Sequence, residues 1–524
     1  MRTNGRRRAA LTARTAALPE CGRRIGGHLA SGNLAVLIIA LLVAPLGLTI
    51  PSGSSAAAAD GSQKGDHETL FSETPLTPPT SIDATCSTDM TTELNLWFAS
   101  LPAGTVVDLP SDGCYLVSNS SSSLLAIENT SRLTINGEGA TFEQGSYSNG
   151  GNNDPGPILT LGFDRDLTIK NITVRGPSSA GGSEDEGDTG ILMWQNTVVN
   201  LDGVTITTVE GDGLDLYPLG NEPGVNWNVT MDDSTIENIG YHAIVPEAVN
   251  GFTFEGSTLS SGDIDAEVDF SCQSTWPFGC GRLNNPDIGV VNMAFRADSF
   301  PNGMTLEDGM SCMPVGNWTI EGNSFGGGGI DLQLDTTYSL TLSALDICGQ
   351  YSGLTIENNT STNGALTPCC GSGSPYILLQ GWSNVTIADN HLVFDVNQGL
   401  VGGPVMDLWG DRNVAITNNT FANYYTVAQS DAPSGWPATT DVLVCGNTIG
   451  SEEYPVTETA CPSTAAGSLF ERPRFTAIAS EQPASETPEA PAAILLPVTA
   501  GVILAGGATL VVRRRRKMES TDSG

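Results

Sequence analysis

The stretch Leu354-Thr355-Ile356-Glu357-Asn358 alternates apolar and polar residues and closes on asparagine. It returns as Val385-Thr386-Ile387-Ala388-Asp389 and again as Val414-Ala415-Ile416-Thr417-Asn418. Toward the N-terminus the same pattern reads Trp318-Thr319-Ile320-Glu321-Gly322, Phe252-Thr253-Phe254-Glu255-Gly256 and Val229-Thr230-Met231-Asp232-Asp233. Before those come Val199 to Gly203, Leu167 to Asn171 and Leu133 to Gly137, and Val442 to Gly446 ends the series. Most of these copies lie 23 to 36 residues apart. One gap of 66 residues follows Phe252, and Val291-Asn292-Met293-Ala294-Phe295 is placed to fill it.

Each copy has a physical meaning. Period-two alternation gives a strand one buried face. The Gly, Asn or Asp that follows tolerates a left-handed backbone, so the chain turns sharply after the strand. A second short strand often follows, as in Gly213-Leu214-Asp215-Leu216-Tyr217 and Gly329-Ile330-Asp331-Leu332-Gln333. One such coil cannot bury its apolar face alone, but stacked coils share a continuous core. Antiparallel sandwiches offer no reason for a period of about 30 residues. The expected class is therefore all-β, a solenoid of parallel strands.

Over roughly residues 85–450 this pattern resembles the right-handed parallel β-helix of the pectate-lyase-like superfamily. The resemblance implies an N-terminal cap, for which Leu94-Asn95-Leu96-Trp97-Phe98-Ala99 and Val106-Val107-Asp108-Leu109 supply a short helix and a first strand. The named catalytic signatures of that superfamily are missing. Polygalacturonase-like hydrolases carry an Asn-Thr-Asp segment, an Asp-Asp pair, Gly-His-Gly and Arg-Ile-Lys. Here His242 stands in Tyr241-His242-Ala243 and no Arg-Ile-Lys occurs.

Charge narrows the partners. The chain of 524 residues has net charge −36. Seven arginines and one glutamate fall in 1–59, and five basic and two acidic residues in 513–524. That leaves ten basic against 55 acidic residues between 60 and 512. Nucleic acid is excluded as a partner, because phosphate binding needs a basic surface. A polyanionic glycan would need a bridging cation.

The ends read as addresses. Residues 1–59 run from arginine-rich to apolar (Leu34 to Ile50) to small (Ser54 to Ala59), the order of a secretory signal. Residues 60–84 are expected to be a disordered linker, 85–465 the β-helix and 466–491 a Pro/Glu/Ala spacer. Residues 492–512 carry no charge and are long enough to span a bilayer as a transmembrane or sorting helix. The basic tail 513–524 then stays cytoplasmic. Within this region Leu496, Pro497, Thr499 and Ala500 resemble the Leu-Pro-x-Thr-Gly sorting signal of Gram-positive wall proteins. That resemblance implies sortase and peptidoglycan as partners, with alanine in place of the final glycine. The alternative is a plain membrane anchor, and either way the body faces outward at the cell surface. Ten cysteines remain beyond Cys21 of the leader, an even number that suits disulfides in an exported chain. Proximity favours Cys86 with Cys114, Cys272 with Cys280 and Cys445 with Cys461.

Aligning the second strands by their inward residues yields two outward columns. One reads Leu192, Asp215, Val245, Asp265, Asp331; its neighbour reads Trp194, Tyr217, Glu247, Glu267, Gln333. Asp407 and Trp409 extend this face. Coils stack about 4.8 Å apart, so the carboxylates become neighbours. Asp215, Glu247, Asp265 and Glu267 are the acid/base candidates for glycoside chemistry, with His242 beside Glu247 as a weaker pair. Trp194, Tyr217, Asp331, Gln333, Asp407 and Trp409 are the sugar-binding candidates. Asp263, Asp265, Glu267 and Asp269 alternate along one segment and offer hard oxygen ligands for Ca²⁺. Two functions fit: a non-catalytic surface protein that binds extracellular or wall polysaccharide, or a polysaccharide hydrolase or lyase using the acidic wall.

Overall fold

The computed structural model describes residues 74–117, 125–145, 156–177, 189–217, 225–247, 249–260, 263–265, 289–302, 304–308, 315–326, 330–334, 351–361, 377–393, 405–422, 427–429, 437–449, 456–457 and 461. The leader, the Pro/Glu/Ala spacer, the sorting motif and the expected span 492–512 all lie outside these residues. Among the described residues no helix is long and apolar enough to cross a membrane.

The body, from Pro75 onward, is a stack of coils, each with up to three strands. One coil shows the plan. Leu214–Leu216 leads to Asn226–Asp232, then Thr235–Ile239, and His242–Val245 opens the next coil. The second and third strands of successive coils stack into one sheet of 24 strands, and the first strands stack into a sheet of eight. Ile377–Gln380, Met406–Trp409 and Ala428–Gln429 form a three-stranded sheet beyond it. Coil-to-coil pairing is parallel and mostly in register, as in Val229 with Phe252, Thr230 with Thr253 and Met231 with Phe254, with a shift between His242 and Ile244 against the following coil. Val290–Arg296 occupies the 66-residue gap, pairing with Val249–Glu255 on one side and Val315–Glu321 on the other.

Apolar residues of every coil meet inside. Val229, Met231, Phe252, Phe254, Met293, Phe295, Ile320, Leu354 and Ile356 are each at most 1% exposed. From Val199 onward, the residue that closes the repeat makes the turn into the third strand. Gly203, Asp233, Gly256, Gly322, Asn358, Asp389, Asn418 and Gly446 all have positive φ, the region that glycine and Asx residues enter most cheaply.

A buried polar ladder follows that turn. The backbone N–H of Ser234 donates to Ser257, Ser257 to Asp298, Asp298 to Asn323 and Asn323 to Asn359. Asn359, Asn390 and Asn419 continue it to Asn447. In each case the acceptor is the next residue's side-chain oxygen, at 2.8 to 3.0 Å. The ladder satisfies backbone groups that the turn would otherwise leave buried and unpaired.

The N-terminal end is covered by the helix Thr91–Ser100, which buries Leu94 and Phe98. Asn95 Oδ1 accepts the N–H of Ala126 at 2.8 Å and ties the helix to the first coils. Disulfides join Cys86 to Cys114 and Cys445 to Cys461; Cys272 and Cys280 lie outside the described residues. Residues 74–84 of the expected linker lie among the described residues. Leu76 bridges Val107, its N–H donating to Val106 O and its carbonyl accepting Asp108 N–H. Ile82 is buried as well. The ordered body thus starts before Thr85, because Leu76 pairs with the edge of the first coil.

Candidate functional site

The sheet of eight strands carries the polar residues that its own core does not explain. Its inner face is apolar: Ile191, Met193, Leu214, Leu216, Ile244 and Ile264 are all core residues. Between them, period-two alternation sets an outer row. Thr160 pairs with Leu192, and Leu192 with Asp215. Asp215 pairs with Val245. Ile244 pairs with Ile264, which puts Asp265 next in the row. Asp265 pairs with Glu307, and Glu307 with Gln333.

The expected column is therefore kept as far as Asp265 and corrected beyond it. Gln333, not Asp331, continues the row, and Asp331 pairs instead with Thr305. The coil strand Met304–Asp308 intervenes, and Leu332 rather than Ile330 stands against the Ile264–Leu306 line. Alternation fixes which face a residue takes, but a slip of two residues leaves that face unchanged. Glu307 was missed for the same reason, although Met304-Thr305-Leu306-Glu307 shows the alternation in the sequence.

Several of these residues are buried. Asp215 is 8% exposed and Glu247 3%. Trp194 pairs with Gly162 and is also buried. A Cβ on Gly162 would lie 2.1 Å from the Trp194 Nε1. The glycine is what lets the indole lie down on the preceding coil. Tyr217 is half-buried, and its N–H donates to Met193 O. Asp407, buried, pairs with Leu378 and Gln429, and half-buried Trp409 pairs with Gln380.

His242 stands at the corner where the chain enters this sheet. Its Nδ1 lies 3.5 Å from Asp212 Oδ1, and its backbone N–H donates to the same oxygen at 3.3 Å. Asp212 is buried, and the Tyr241 and His242 ring centroids are 3.6 Å apart. The structure thus gives His242 a carboxylate on the preceding coil; the sequence pointed to Glu247. Asp263 pairs with His242 on the following coil.

The calcium reading falls largely outside the described residues. Asp263 and Asp265 lie on one strand, while Glu267 and Asp269 fall outside the described residues. Ca²⁺ needs six to eight oxygens. The three-residue ligand cluster found among the described residues is Cys86, Cys114 and Glu143. Its two sulfurs are already joined as a disulfide.

Stacked parallel coils with a polar sheet face define the class: a parallel β-helix. The family model described as "Right handed beta helix region" matches residues 189–428, which spans the coils that carry this face. No curated protein matches in sequence. Among solved structures, the chain is similar to the A-module of the Azotobacter vinelandii mannuronan C-5 epimerase AlgE6, at 13% identity and TM-score 0.47, covering 72% of this chain and 95% of that one. It is similar to PfbA, a surface adhesin of Streptococcus pneumoniae, at 13% identity and TM-score 0.41, covering 72% and 89%. A third likeness is to the Yersinia enterocolitica family 28 exopolygalacturonase, at 12% identity and TM-score 0.40, covering 73% and 80%.

Proposed function

We propose that this chain is an exported, surface-tethered β-helix that binds extracellular or cell-wall polysaccharide. The observation that carries the reading is the register row Asp215, Val245, Asp265, Glu307, Gln333. Carboxylates and amides repeated at about 4.8 Å suit the hydroxyls of a sugar chain. Half-buried Tyr217 adds a ring of the kind that mixes apolar contact with a polar tip; Trp409 stands on the separate three-stranded sheet. The chain's net charge of −36 points to a neutral glycan, since an anionic one is repelled. The arginine-rich leader, the uncharged stretch 492–512 and the Leu496-Pro497-Val498-Thr499-Ala500 motif support a tether, through sortase and peptidoglycan or through the membrane. Fractionation of cells with and without muramidase treatment separates those two anchors.

Catalysis is the second reading, and one observation favours it. Asp265 and Glu307 stand one strand apart, about 5 Å, and Asp215 and Asp265 two strands apart, about 10 Å. Acidic residues at neighbouring register positions are the type that glycoside hydrolysis employs in pairs. His242, oriented by Asp212, is a proton-transfer group at the same corner. The test is a screen of the full chain against neutral polysaccharides, reading both retention and released oligosaccharide. Retention without release, weakened by Asp265→Asn and Glu307→Gln, is the result expected for binding. Release that disappears in those variants establishes the enzyme. Neither retention nor release on any glycan would overturn the proposal.

A further inference from the structure

Three aspartates occupy positions in the buried ladders where the neighbouring side chains donate protons. In the ladder after the repeat turn, Asn323 Nδ2 donates to the Phe295 carbonyl, and Asn359 to that of Ile320. Asn390, Asn419 and Asn447 do the same to Ile356, Ile387 and Ile416. Asp298 sits in this series. Its Oδ1 accepts the Ser257 N–H at 2.9 Å, and its N–H donates to Asn323 Oδ1 at 2.8 Å. A second ladder precedes the long strands. There Asn196 Nδ2 donates to Leu161 O and Asn226 Nδ2 to Met193 O. Asp164 stands next to them, taking the Thr130 N–H and hydroxyl on Oδ1 and donating its N–H to Asn196. On the same line further along, Thr439 Oγ1 donates to Leu408 O, and Asp411 Oδ1 accepts the Trp382 N–H at 2.7 Å.

Asp164 and Asp411 are 0% exposed and Asp298 2%. In all three the second oxygen, Oδ2, is buried and makes no hydrogen bond among the described residues. By strand register the carbonyls at the matching places belong to Ile127 for Asp164, Phe254 for Asp298 and Leu379 for Asp411. An ionised carboxylate can only accept, so it would set an oxygen lone pair where each ladder asparagine places a donor. A protonated one reproduces the asparagine.

We infer that Asp164, Asp298 and Asp411 are neutral carboxylic acids in the folded chain, acting as asparagine surrogates that donate Oδ2–H to the preceding coil, so that the helix is firm in acid and loosens as pH rises. The electrostatic surroundings agree. Burial pushes Asp298 up to about 8, with Glu255 and Asp232 adding to it and the Ser257 and Arg296 backbone amides opposing. Burial pushes Asp164 to about 7, against hydrogen bonds from Thr130 and Gly162 and with Glu128 adding. Asp411 reaches about 7 by burial, opposed by Trp382 and Trp409 amides and helped by Asp407. Among the described residues, the charged groups that shift these three are Glu128, Glu255, Asp232 and Asp407, each an acid. The Arg296 side chain is engaged by Glu321 at 4.0 Å.

The sign follows from linkage. Each folded value lies above the ordinary 3.8, so the folded chain keeps protons that the unfolded chain has released. Stability from these groups is full below about pH 4, declines as pH rises, and is gone once pH passes 7 to 8. The experiment is urea unfolding of the full chain and of D164N/D298N/D411N between about pH 5 and about pH 8.5. The wild-type unfolding free energy is expected to fall with pH relative to the variant, with a slope of about three protons near pH 5 to 6 that flattens above about pH 8. Parallel pH profiles would overturn the inference. An independent readout is the infrared carbonyl band of a buried carboxylic acid at pH 6, expected in the wild type and reduced in each single asparagine variant. Its absence in the folded wild type would overturn the inference even where the triple variant fails to fold.

Discussion

Val198 has a left-handed backbone, φ 58°, although a β-branched residue is poorly suited to it. The matching residue on the next coil is Asn228, φ 51°, set by the pairs Thr197 with Trp227 and Val199 with Val229. Asn292, Asn317, Asn384 and Asn413 share the conformation. Val198→Asn is therefore expected to stabilise the chain by about 1 kcal/mol, read as a rise in the urea midpoint; a fall would show that the Val198 side chain matters more than its backbone. The ladder residues work in the other direction. Asn390 accepts two hydrogen bonds from Asn359 and donates to Ile356 O and to Asn419. Asn390→Ala leaves the Asn359 N–H buried without that acceptor and is expected to cost about 2–4 kcal/mol. A loss below about 0.5 kcal/mol, the range of ordinary surface changes, would mean the ladder is not holding the turn. The Gly/Asn/Asp residue closing each repeat was legible from sequence because its conformation is restrictive. The ladder residue after it was not, since Ser, Asp and Asn look like surface residues until stacking buries them.

At the scale of an element, the strands of one coil depend on those above and below. Phe295 lies between Phe252 and Phe254 on one side and Phe300 on the other, with centroids 6.1, 6.2 and 6.3 Å away. Phe300 stacks on Phe325 at 5.3 Å. This aromatic spine crosses the long gap in the repeat. Phe295→Ala is expected to cost about 3–5 kcal/mol, measured by chemical unfolding, and hydrogen exchange should rise first in Val249–Glu255 and Val315–Glu321. Exchange that rises uniformly would show that the coils do not open locally. The sequence identified the strands themselves well, including Val290–Arg296, because alternation marks them one at a time. It did not fix the far end of the polar row. Asp331 and Gln333 lie on the same face, and only the pairing of Leu332 with Leu306 decides between them.

At the scale of the molecule, the helix is built of local neighbours. The helix Thr91–Ser100 closes one end, and the parallel stack carries every side-chain row along the axis. The polar face of the eight-stranded sheet exists only because residues some 30 positions apart become vertical neighbours. That dependence also explains why the buried state of Asp215 and Glu247 was not legible. Their alternation with leucine and valine marked them as outside the core, and period-two patterning reports which face a residue takes, not how far that face is buried. Paired cysteines test the stacking most directly. Thr230 and Thr253 are in register on adjacent coils and half-buried, at the separation of about 5 Å that a disulfide needs. Thr230→Cys with Thr253→Cys is predicted to cross-link under mild oxidation, whereas Thr230→Cys with Thr319→Cys, several coils away, is not. A disulfide in the distant pair, or none in the adjacent pair of a folded chain, would contradict the stacked-coil account.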